Sequence, residues 1–187
     1  MLTYKADLKS EDIRGWMAPT ELAWLRQTAA KSNSWLEIGC HCGRSTHAVG
    51  TNLLPGATLY IVDPLFDFPY YKESGCESPN YPLESMTALL EWFKIYKPDL
   101  KIRFHQKKIE DVHTDLPSGL DVAFIDGGHE YHEVMRDIAI CKQHVKPGGI
   151  ISGHDYGLNF PGVIKAVDET FGETVKVPRD TTIWHTR

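Results

Sequence analysis

The strongest constraint on the fold is an alternation. Short runs rich in β-branched and apolar residues are followed, in all but one case, by a segment whose apolar residues recur every three or four positions. Strand-type runs fall at 35–38, 58–62, 100–105, 120–125 and 150–152, and helical spacing at 19–31, 44–53, 84–96, 130–145 and 161–171. The punctuation agrees: Pro19 opens the first helix, Pro55-Gly56 stops the second, Pro147-Gly148-Gly149 stops the fourth and Gly172 caps the last. Segments 174–177 and 182–184 read as a closing hairpin. Strands alternating with helices predict an open, mostly parallel sheet with helices on both faces. The chain has 187 residues, no internal repeat and no low-complexity linker, so a single α/β domain over 1–187 is expected, with 1–33 as a helical cover.

Composition excludes several classes. Acidic residues outnumber basic ones by 25 to 20, which argues against nucleic acid or an anionic membrane as partner. No apolar run approaches a membrane span, and the first fifteen residues carry charges where a signal peptide is apolar. The four cysteines (Cys40, Cys42, Cys76, Cys141) have no disulfide-scaffold or CxxC spacing, and free thiols suit the cytoplasm. Cys40-His41-Cys42 is rejected as a metal triplet, because consecutive side chains on a turn are expected to diverge.

In open α/β sheets ligands bind beyond the carboxyl ends of the strands, so those positions carry the function. Glu37-Ile38-Gly39 ends the first strand, and Gly43-Arg44-Ser45-Thr46 opens the following helix. Two glycines around a tight turn let backbone approach a ligand, but the G-x-G-x-x-G pattern that admits a dinucleotide is absent. Glu37 suits a ligand with an ammonium group. Asp63 ends the second strand, where a carboxylate accepts hydrogen bonds from both ribose hydroxyls. Glu37, Gly39, Gly43 and Asp63 together indicate an adenosine-containing ligand. The aromatic, Pro- and Gly-rich stretch 64–82, with Phe68, Tyr70, Tyr71 and Tyr81, reads as a lid and substrate-selecting loop. Trp16 is the tryptophan best placed to line the pocket.

The ordered set of motifs goes further. Phe124-Ile125-Asp126-Gly127-Gly128-His129-Glu130-Tyr131, Lys146-Pro147-Gly148-Gly149 and Gly153-His154-Asp155-Tyr156 follow in sequence, with Gly15-Trp16-Met17 before them and Gly162-Val163 after. The chain resembles a class I S-adenosylmethionine-dependent methyltransferase of a small bacterial type, over nearly its whole length. The resemblance implies a Rossmann-like sandwich with a seven-stranded sheet whose last strand is antiparallel, and often a homodimer. It places S-adenosylmethionine over the first and fourth strand ends, with Glu37 and Gly39 near the methionine part, Asp63 on the ribose, and Gly43 and Ser45 also among the cofactor-binding residues. Lys108 and Ile109 border the adenine, and Asp126 faces the reacting end.

Asp126 closes the fourth strand and His154-Asp155 the fifth. Neighbouring strands lie about 4.8 Å apart, so these side chains can converge. Two carboxylates suit Mg²⁺, and an added imidazole tilts the set toward Mn²⁺, Fe²⁺ or Zn²⁺. The arrangement is similar to that of catechol-type O-methyltransferases, where His129 falls at the general base. Asp126, His129, His154 and Asp155 are thus the expected catalytic residues. The expected reaction is methyl transfer to a small-molecule acceptor, most naturally a hydroxyl, with a divalent metal left open. A non-catalytic S-adenosylmethionine-binding protein and a nucleotide-dependent oxidoreductase are the alternatives. The acceptor itself is not legible.

Overall fold

A computed structural model describes residues 2–65, 72–73 and 75–187. Its elements run α1 (Pro19–Ala29), β1 (Ser34–Ile38), α2 (Arg44–Gly50), β2 (Thr58–Val62), α3 (Tyr81–Tyr96), β3 (Lys101–His105), β4 (Leu120–Ile125), α4 (Tyr131–His144), β5 (Val145–Gly153), α5 (Pro161–Phe171) and β6 (Trp184–His185). Among the described residues there are six strands, in the order β3-β2-β1-β4-β5-β6. The first five are parallel and β6 runs antiparallel to β5.

The expected seventh strand is absent from the described residues, although the antiparallel last strand is present. Of the segment 174–177, only Lys176 pairs, in a single bridge to His185. Pro178 follows at once without an N–H to extend a ladder, and Asp180 sits at φ +59, so the chain turns away. The third helix starts three residues earlier than its spacing suggests. The fourth stops at His144, where β5 already begins; residues 146–149 bulge out between the Leu120–Val145 and Val122–Ile150 pairs.

Alternation along each strand splits the core in two. Trp35, Leu59, Ile61, Val122 and Phe124 face the layer made by α1, α2 and α3. Leu36, Ile38, Val62, Ala123 and Ile125 face the layer made by α4 and α5. Both faces of the sheet are covered, which is why the strands read as continuous apolar runs. No helix among the described residues is long and apolar enough to cross a membrane.

The register decides where the function lies. Ile38 pairs with both Val62 and Ile125, and Ile125 pairs with Gly153. Gly39, Asp63, Asp126 and His154 therefore leave the sheet in one row. The ladder extends to that row, since Gly39 N–H donates to Val62 O, Asp126 N–H to Ile38 O and His154 N–H to Ile125 O.

Candidate active site

A cavity of about 850 Å³ opens above this row, within the range of small-molecule sites. Gly39, Ser45, Asp63, Lys108, Ile109 and Asp126 reach its wall, as do His129, His154 and Asp155. Trp16 also borders it, while remaining 57 % exposed.

Gly39 has φ +84, and a β-carbon there would lie 2.5 Å from the Asp126 carbonyl carbon and 2.9 Å from the Gly127 nitrogen. Only glycine lets β1 and β4 end this close together. Asp63 then organises the turn that follows. Its Oδ2 accepts from the Cys40 and His41 N–H groups at 2.8 and 3.0 Å, and its Oδ1 from Leu65 N–H at 2.9 Å. Asp63 thus braces the turn after β1 with the same carboxylate that the resemblance places on a ribose.

Glu37 and Gly43 stand behind the wall rather than on it. Glu37 has the same strand parity as Trp35, so its side chain enters the α2 layer, fully buried. It accepts from Ser45 Oγ at 2.5 Å and Thr46 Oγ1 at 2.6 Å. Burial pushes its carboxyl up to about 8, against those two hydroxyls, with the charges of Asp126 and Asp63 adding to the rise. Glu37 fastens the start of α2 to β1, and Ser45 links it to the cavity. Gly43, at φ +92, packs against Met86 and Leu89 of α3.

Beyond β4 and β5 the side chains form a chain of charge. His129 Nε2 lies 2.8 Å from Asp155 Oδ2, and His154 Nδ1 lies 3.2 Å from Asp155 Oδ1 and 3.5 Å from Asp126 Oδ1. On its other side His154 Nε2 meets Glu21 Oε2 at 3.0 Å. Burial pulls the His154 imidazole down, but the Asp126 charge and hydrogen bonds to Asp126, Asp155 and Glu21 carry it far above its ordinary value. With carboxylates on both nitrogens it is an imidazolium at neutral pH. Burial opposes ionisation of Asp155, yet its two histidine partners hold it well below the usual carboxylate range. The hydrogen bond to Asp155 raises His129 against the pull of burial, and the ring stacks on Phe160 at 4.2 Å. Asp155 itself sits at φ +61, a left-handed conformation that aspartate tolerates better than most side chains.

Asp126, His154 and Asp155 bring ligand atoms within 4.8 Å of one another. A dication fits this donor set if it displaces the Nδ1 proton of His154. Nε2–H would then stay on Glu21, the carboxylate–imidazole pairing that commonly stands behind metal-bound histidines.

Glu21 is the residue that sequence reasoning missed. It is buried at the third position of α1, where its Oε2 accepts from Ala18 N–H at 2.8 Å. Pro19 followed by Glu21 does signal this cap. Its Oε1 also accepts from the Thr182 N–H and hydroxyl, a role no local pattern encodes. Arg44 is the second omission. Its guanidinium donates to the carbonyls of Ile13, Met17 and Glu11, and so straps the amino-terminal segment beside the cavity. The aromatics Phe68, Tyr70 and Tyr71 of the expected lid lie outside the described residues. Tyr81 packs against the first core layer instead.

A family model for a methyltransferase domain matches residues 36–156, from β1 to the end of the His154-Asp155 motif. The chain belongs to this methyltransferase family, and its sheet is the Rossmann-like one of class I methyltransferases with the last strand antiparallel. Solved structures share the fold at low sequence identity. The Podospora anserina methyltransferase PaMTH1, bound to S-adenosylhomocysteine, has a TM-score of 0.62 at 18% identity, covering 92% of this chain and 79% of its own. The O-methyltransferase TomG of Streptomyces achromogenes, in complex with S-adenosylmethionine, has a TM-score of 0.64 at 12% identity, covering 91% and 81%. A precorrin 8w decarboxylase from Methanobacterium thermoautotrophicum has a TM-score of 0.62 at 14% identity over all of both chains. One curated relative, the uncharacterised protein R132 of Acanthamoeba polyphaga mimivirus, is 44% identical over 41 residues, 22% of this chain. The matched stretch is 19% of that relative's length, so the likeness to it is local.

Proposed function

We propose that the protein transfers the methyl group of S-adenosylmethionine to a hydroxyl of a small-molecule acceptor. The observation that carries this reading is the row of Gly39, Asp63, Asp126 and His154 along one sheet edge beneath a single cavity. Asp63 and the turn it braces take the ribose, Lys108 and Ile109 flank the base, and Asp126 lies toward the sulfonium. Solved relatives of the same fold that carry S-adenosylmethionine or S-adenosylhomocysteine support this choice of cofactor.

A sulfonium methyl is already electrophilic, so the protein must supply alignment and a deprotonated nucleophile. His129 supplies the second. Asp155 holds Nε2–H, which leaves Nδ1 as the acceptor of the hydroxyl proton, the logic of a carboxylate-oriented histidine base. His154, clamped as an imidazolium between Asp126, Asp155 and Glu21, fixes both acids in place. Asp126, His154 and Asp155 would also hold a divalent cation such as Mg²⁺ or Mn²⁺. A bound cation would lower the pKa of a coordinated acceptor hydroxyl.

Isothermal titration with S-adenosylhomocysteine tests the first half of the proposal, and saturable binding at one site per chain is expected. Absence of binding to both S-adenosylhomocysteine and S-adenosylmethionine would sink it. A labelled methyl donor offered with a panel of phenols, catechols and sugar hydroxyls tests the second half. Transfer only to amines would overturn the choice of oxygen.

A further inference from the structure

A second cluster of ligand-type side chains lies at the turn after β1, where His41 borders the cavity, and the reaction proposed above does not use it. His41 and Cys42 come from the turn after β1, and Cys76 from the segment before α3. Cys42 Sγ lies 3.4 Å from Cys76 Sγ and 3.6 Å from His41 Nε2, and Cys76 Sγ lies 4.0 Å from the same nitrogen. Consecutive side chains on a turn were expected to diverge. For Cys40 that holds, since its sulfur is not part of the cluster. His41 and Cys42 meet because His41 sits at φ +47, which swings its ring to the side of Cys42. Trp16 packs against that ring at 5.1 Å.

We infer that His41, Cys42 and Cys76 form a zinc site that ties the segment before α3 to the turn beneath the cofactor. Bond lengths of about 2.3 Å to sulfur and about 2.0 Å to nitrogen give tetrahedral edges of about 3.8 Å between sulfurs and about 3.5 Å between sulfur and nitrogen. The three observed separations lie within about half an ångström of those edges. Two thiolates and one neutral imidazole are a borderline-soft set that favours Zn²⁺ over Mg²⁺ or Mn²⁺. Charge balances as well. Binding releases one proton from each thiol to solvent, and the dication with two thiolates is then neutral, as a buried cluster requires. Both cysteines are buried. His41 borders the cavity, where a fourth donor has room to enter.

The assignment is tested on the full, reduced chain by titration with Co²⁺ as a spectroscopic stand-in for zinc, followed by back-titration with Zn²⁺. The expected result is a near-ultraviolet sulfur-to-cobalt charge-transfer band with intense tetrahedral visible bands, saturating at one ion per chain and abolished by Zn²⁺. Cys76→Ser should roughly halve the charge-transfer band and weaken zinc binding at least about tenfold, the scale seen even for residues behind a metal ligand. His41→Asn, which tolerates the left-handed backbone, should keep the sulfur band and lose affinity. The Asp126, His154 and Asp155 cluster has no sulfur, so cobalt bound there gives no such band. Cobalt binding without the sulfur band overturns the assignment, as does a band that survives Cys76→Ser at full strength. Native mass spectra of the reduced parent beside Asp126→Asn and Cys76→Ser add a second readout. One zinc retained in Asp126→Asn and weakened in Cys76→Ser supports the site; zinc lost in Asp126→Asn but kept in Cys76→Ser, a reduced parent that takes up no zinc, or a Cys42–Cys76 disulfide in its place refutes it.

Discussion

The closeness of β1 and β4 at Gly39 makes a quantitative demand. In Gly39→Ala the added methyl must occupy space 2.5 Å from the Asp126 carbonyl carbon and 2.9 Å from the Gly127 nitrogen, at φ +84. The left-handed backbone costs about 1–2 kcal/mol for a residue with a β-carbon. Forcing extra volume against backbone costs a further ~1–3 kcal/mol. The total of about 2–5 kcal/mol corresponds to roughly 4–20 °C in Tm for a domain of this size. Gly56→Ala is the control: its φ is +76, but nothing lies within 4 Å of the new methyl, so only the first cost applies. The assay is thermal unfolding of both variants beside the parent, with S-adenosylhomocysteine titrations on each. Gly39→Ala should melt well below Gly56→Ala and bind the ligand more weakly, because separating the strand ends moves Asp126. If the two variants melt together, the steric argument fails.

Three further outcomes follow from the charged groups. Glu37 ionises in the fold only near 8, above its ordinary 4.5, so the stabilisation its acid form provides is fully present below about 4.5 and is lost as pH rises through about 8. Glu37→Gln should flatten Tm against pH across that window, and an unchanged slope would remove Glu37 as its source. His129→Ala should lower kcat about 10²–10⁴-fold. The parent's kcat/KM should rise with pH through a pKa above the ordinary histidine value, because Asp155 stabilises the charged ring; Asp155→Asn should move that rise to lower pH. Glu21→Ala strips one partner from a buried ion pair and should cost about 3–5 kcal/mol in denaturant unfolding. Glu21→Gln should recover only part of that loss, because its single amide oxygen can accept from Ala18 N–H or from Thr182 N–H but not from both.

The parts of the molecule that local sequence determines were readable in advance. β1, β2 and β4 are buried on both faces, and their apolar runs appear in the sequence within a residue or two of where the strands lie. Gly39, Asp63, Asp126 and His154 could be named because each stands just past such a run. The edge of the sheet was harder, since β6 is two residues long and its partner segment is cut short by Pro178. Glu37 shows a subtler limit. It stands one residue before the strand end as the motif suggests, but whether its side chain meets a ligand or a helix depends on strand parity against a layer that has no local signal. Glu21 and the His41, Cys42, Cys76 cluster depend on long-range closure and on a left-handed φ at a histidine, and neither leaves a trace in nearby residues.

The contact between Glu21 and Thr182 joins residues 161 positions apart. At synthesis rates of about 5–20 residues per second, Thr182 is added about 8–32 s after Glu21. For most of that interval α1 has its cap at Ala18 while its carboxylate has neither the His154 imidazolium nor Thr182 to receive it. Burying it then would strand a charge, which disfavours seating Glu21 beside the cavity until His154 and Thr182 are in place. Helix α1 is made well before the residues that receive its carboxylate, so the acid chain beside the cavity can close only once chain from both ends of it has been synthesised.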